Sequence, residues 1–128
     1  MLCAAVGTAQ DAEKELFAAR YKNAADLYGK LLANDAADPR AYYGLIQSLI
    51  KDHRSQEAYS KATEALEQFP TNASVQAAAG LAAYRKGDIG KAQELFIAAL
   101  KIDPGDAGAL RGQASINEKV SRSRPPGI

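Results

Sequence analysis

His53 is the only histidine in a chain of 128 residues, so an imidazole base or a His-bearing metal site would have to use it. It stands between two runs of helical periodicity, in Asp52-His53-Arg54. There a histidine tolerates unusual backbone angles better than most residues, and a turn role is the simpler reading. Glu13 with Glu15, and Glu64 with Glu67, have the composition of acid/base pairs, but each lies beside a lysine, Lys14 or Lys61, on a polar helix face. That is the pattern of solvated charge. Gly87-Asp88-Ile89-Gly90 lacks the lysine and the preceding strand that a phosphate-cradling loop requires. Cys3 has no second cysteine, which excludes an intramolecular disulfide and a cysteine-rich metal site. The residues thus predict a protein that is not an enzyme and has no metal or cofactor.

The elements that place these residues follow from composition and period. Roughly a fifth of the chain is alanine, whereas Val, Ile and Thr are scarce, which favours close-packed helices over sheet and predicts an all-α protein. The length suits one domain, here residues 8–120. Sixteen basic against fifteen acidic residues give no whole-chain attraction to nucleic acid or an anionic membrane, and no run is long enough to span a bilayer. Residues 1–7 read either as a lead-in to the first helix or as the remnant of a secretion signal, so a cytoplasmic and an exported location both stay open. Residues 121–128, SRSRPPGI, are aperiodic and are expected to be disordered, with Arg122 and Arg124 as a polar terminus.

Shifted by 34 residues, the chain matches itself: Ala24, Ala58 and Ala92 coincide, as do Leu32, Leu66 and Leu100, and Tyr28, Ala62 and Phe96. The punctuation shares the period. Asp38, Asn72 and Asp106 each suit a helix N-cap, Pro39 suits the first helical position, and Pro70 and Pro104 close helices. Gly87 suits a left-handed turn residue, and His53 occupies its place one copy earlier. The prediction is three antiparallel helix pairs, at about residues 5–38, 39–72 and 73–106, and a capping helix at 107–120. That cap is expected to turn Leu110, Ala114 and Val120 towards the third copy, with Phe96 covered near Leu110 and Ala114.

The third copy resembles the tetratricopeptide repeat in Gly80, Tyr84, Gly87-Asp88, Ala92, Phe96, Ala99 and Pro104. The second departs at Ile46, where Gly is usual, and at Ala62, where an aromatic is usual; the first departs at Ala19, Leu31 and Ala36. The resemblance implies a right-handed α-α superhelix whose first helices line a concave groove that takes a peptide. Carried over position by position, the groove residues are Leu16, Phe17, Arg40, Tyr43, Gln47, Ile50, Lys51, Leu81, Tyr84, Arg85 and Arg111, with Glu13 the main acidic exception. Such an aromatic and basic wall suits an acidic or aromatic-containing peptide. The family's clamp for chaperone carboxylate tails falls on Ala9, Glu13, Gly44, Ser74 and Ala78, none of them a cation, so no chaperone-tail binding is expected. The alternative is a structural or oligomerising domain with an apolar end face near Leu2, Val6 and Leu16.

Overall fold

The computed structural model describes residues 9–34 and 38–123. They form seven α-helices: α1 (Ala9–Phe17), α2 (Tyr21–Asn34), α3 (Pro39–Lys51), α4 (Ser55–Gln68), α5 (Ala73–Lys86), α6 (Ile89–Ile102) and α7 (Ala107–Ser123). The starts of α3, α5, α6 and α7 are fixed by side chains that accept from otherwise unpaired backbone N–H groups, whereas α4 begins after Arg54 without one. Asp38 accepts from Arg40 N–H at 3.0 Å, Asn72 from Val75 N–H at 3.0 Å, Asp88 from Lys91 N–H at 3.1 Å and Asp106 from Ala109 N–H at 2.9 Å. The turns within the pairs repeat too. Ala19, His53 and Gly87, spaced 34 apart, all have positive φ, at 64°, 61° and 103°. Only the glycine adopts that region without a Cβ penalty.

Successive first helices touch, α1 with α3, α3 with α5 and α5 with α7, and each second helix packs on the first helix of the next pair. Among the described residues the backbones of α2, α4 and α6 do not approach one another within 8 Å. The first helices are therefore the short inner wall of a superhelix, and the second helices its splayed outer wall. One buried cluster joins α1 to α6 through residues such as Ile46, Leu49 and Val75, and a second joins α5 to α7 around Phe96, which is fully buried.

Side-chain volume is traded between pairs. A Cβ on Gly80 would stand 2.6 Å from the Phe96 ring, and one on Gly112 or Gly44 would collide with the ring of Phe96 or Tyr28. Each ring thus sits against glycine on the first helix of the following pair. In the second copy the aromatic place holds Ala62, and the matching places hold the larger Ile46 and Ala78. The two departures of that copy are one exchange of volume, which keeps the packing dense.

The capping helix lies in a different rotation from the one its large residues predict. Ala109, Gly112 and Ile116 turn inward, while Leu110 and Val120 are 49% and 51% exposed and Ala114 is exposed. Phe96 decides the rotation, because only a glycine lets α7 approach its ring. Nor does the helix stop at Val120: it runs to Ser123, with Arg122 bridging Glu118 at 2.7 Å one turn back.

Candidate binding groove

The inner wall is a single stripe of each first helix. On α3 it comprises Arg40, Tyr43, Gly44, Gln47 and Lys51, and a shift of 34 residues carries it to Ser74, Ala77, Ala78, Leu81 and Arg85 on α5, then to Gly108, Arg111, Gly112 and Ser115 on α7. These residues line two cavities that meet at Tyr43. The upper cavity, about 350 Å³, is walled by Leu16, Phe17, Tyr28, Pro39 and Tyr43, with Glu13 and Arg40 at opposite charge. The lower, about 240 Å³, contains Tyr43, Gln47, Leu81 and the three cations Lys51, Arg85 and Arg111, over a floor of small residues.

The structure brings together nine of the eleven predicted groove residues, four in the upper cavity and six in the lower, with Tyr43 in both. Ile50 and Tyr84, which share one register position with Leu16, do not join them. Ile50 is 3% exposed and belongs to the first core cluster; Tyr84 lies half-buried against the second, with the Lys119 ammonium 5.8 Å from its ring centre. On α3 and α5 that register turns into the seam between neighbouring first helices and fills the stack, whereas on α1 Leu16 still lines the upper cavity. The predicted set lacks Ala77, Gly108, Gly112 and Ser115, which one or two 34-residue shifts from Tyr43, Arg40, Gly44 and Gln47 reach.

Electrostatically the two cavities differ. Arg20 pairs with Glu15 at 2.9 Å, Arg54 with Glu57 at 2.9 Å and Lys61 with Glu64 at 3.4 Å. Among the described residues Lys51, Arg85 and Arg111 make no ion pair. The lower cavity is thus a concentration of uncompensated positive charge in a concave surface, which focuses attraction on an anion. Between α1 and α2 the Arg20 guanidinium, with the Asn23 amide, holds the Glu15 carboxyl down at about 2. Among the described residues no group of three or more His, Cys, Asp or Glu gathers to hold a metal ion, and no helix is long and apolar enough to cross a membrane.

Solved structures share this architecture. The second tetratricopeptide domain of human RPAP3, in complex with an HSP70 peptide, superposes with a TM-score of 0.74 at 20% identity, over 84% of this chain and 90% of that one. The Sgt2 domain from Aspergillus fumigatus gives 0.80 at 18%, over 93% and 83%. The Yersinia enterocolitica secretion chaperone SycD, in complex with a peptide of the translocator YopD, gives 0.72 at 13%, over 89% and 87%. At such identities the likeness is one of fold. No curated protein matches the sequence. The sequence pattern of the tetratricopeptide repeat itself matches residues 49–116, more than half of the chain. With that match, the 34-residue period, the caps and the inner wall of first helices explain one another, and the chain belongs to the tetratricopeptide repeat family.

Proposed function

We propose that the chain is a non-catalytic interaction module that binds an extended peptide or protein segment along its inner wall, and that the segment carries acidic and apolar or aromatic side chains. The observation that carries this reading is the pair of cavities meeting at Tyr43, one walled by apolar groups and the other by unpaired cations. The peptides bound by RPAP3 and SycD support the same use of the fold. Tyr43→Ala should leave helical circular dichroism intact and weaken capture of any partner recovered by pull-down at least about tenfold. Tyr84→Ala should lower stability by about 1 to 3 kcal/mol through lost packing and leave groove contacts in place. Capture that survives Tyr43→Ala would contradict the reading.

Chaperone tails are not proposed as ligands, because Glu13 and the uncharged Gly44, Ser74 and Ala78 replace the clamp. Free and C-terminally amidated forms of the HSP70 tail peptide should behave alike in a titration, since no clamp reads the terminal carboxylate.

A second reading, an oligomerising end face, is favoured by one observation. Leu2 and Val6 lie outside the described residues, but at the other end Ile97, Ile102, Leu110 and Val120 are 44% to 51% exposed. Light scattering across the micromolar range separates the readings, since a strict monomer removes the second.

A further inference from the structure

We infer that the groove reads two separated features of one extended segment: a bulky apolar side chain between α1 and α3, and a cluster of acidic side chains about five residues away, among α3, α5 and α7. The inference rests on the groove being the binding site, as proposed above, and adds what is read where.

The lower cavity contains no carboxylate among its lining residues, while Lys51, Arg85 and Arg111 reach it from three different helices. Elsewhere the arginines Arg20, Arg54 and Arg122 have carboxylate partners. Three like charges held around one hollow repel one another, and an anion placed there removes that repulsion while gaining charge-assisted hydrogen bonds. Three cations exceed what a single terminal carboxylate neutralises, so the fitting anion is a run of acidic side chains. The floor favours a main chain lying low, because Ala77, Ala78, Gly108 and Gly112 raise nothing beyond a Cβ. Gln47 and Ser115 add neutral donors and acceptors beside it.

The upper cavity differs in kind. Leu16, Phe17, Tyr28 and Pro39 present apolar surface, and Phe17 is 88% exposed, an area that an apolar side chain would cover. Its single acid and single base, Glu13 and Arg40, balance. From Arg40 to Lys51, α3 rises about 16 Å at ~1.5 Å per residue. An extended segment spans that with about five residues at ~3.3 Å each. Tyr43, common to both cavities, is the contact between the two features.

The test selects dodecapeptides from a random library on the wild-type chain, then measures the most enriched sequence as a synthetic peptide with an amidated C-terminus. The expected pool places Asp or Glu runs about five residues from Trp, Phe or Leu. The amidated peptide should bind, weaken at least about tenfold from low salt to about 0.5 M, and lose at least about tenfold on Arg85→Glu, with unchanged circular dichroism. Leu16→Ala should weaken it less and leave the salt dependence unaltered. A pool without acidic enrichment, or loss of binding on amidation alone, overturns the inference. So does binding that survives Arg85→Glu but fails in Tyr43→Ala, which leaves the groove itself standing. An empty selection, or binding indifferent to both substitutions, overturns the inference and the groove reading together.

Discussion

The outer wall of the stack holds a larger cavity than either on the inner wall, about 500 Å³ between α2 and α4 over a floor of Tyr42, Leu45 and Leu49. Its charges, however, are largely spent within the chain: Arg54 bonds Glu57 at 2.9 Å and Asp52 at 3.4 Å, and Lys61 bonds Glu64. The outer gap comes from size alone. α2 faces α4 with Ala25, Gly29 and Ala33, and one copy later the place of Ala25 holds Tyr59, half-buried against both core clusters with Lys86 4.4 Å from its ring centre. The inner cavities are smaller and chemically unfinished, with three cations lacking partners. Volume reports where side chains are short; unpaired charge beside apolar surface reports where a ligand gains energy.

Disturbing the stack itself should erase the difference between the two walls. Gly80→Leu drives a side chain into Phe96, whose ring would already lie 2.6 Å from a Cβ there. It should cost about 1 to 3 kcal/mol in a urea titration and disturb both walls at once. Gly29→Ala sharpens the contrast. A Cβ at Gly29 meets nothing within 4 Å, so the variant should gain about 0.8 kcal/mol from helix propensity, narrow the outer gap and leave peptide affinity unchanged. A fall in affinity would move the site outward.

Smallest is the effect at the turn between α1 and α2. The carboxyl of Glu15 lies at about 2 when folded, below its ordinary 4.5, so its bond to Arg20 supports the fold above about pH 4.5 and is lost as pH falls towards 2. Glu15→Gln should therefore flatten the acid side of the thermal-midpoint profile within that window. Because Arg20 is 57% exposed, the change should be slight.

How far the molecule was legible depends on which physical cue each part uses. Caps, turns and helix starts are local, so Asp38, Asn72, Asp106 and Gly87 announce themselves in the sequence and take up the expected roles. The rotation of α7 is not local. Hydropathy selects Leu110 and Val120, but the crossing is set by Phe96, which admits Gly112 and excludes anything larger. The exchange between Ile46 and Ala62 is hidden for the same reason: each departs from the family alone, and only the pairing of helices shows that the volumes compensate. In the groove, the positions carried over from the family resemblance put nine of eleven residues against the two inner cavities. Ile50 and Tyr84 fall outside them because a step of one residue rotates a helix by about 100°, which carries a side chain from the groove beside Lys51 or Arg85 into the seam.

Backbone amide shifts during titration with a selected peptide reveal which wall takes the ligand. If the inner wall takes it, Tyr43, Leu81, Arg85, Arg111 and Ser115 move together and saturate with one affinity. Shifts confined to Asp26, Gly29, Ser60 and Glu64 on the outer wall would contradict inner-wall binding.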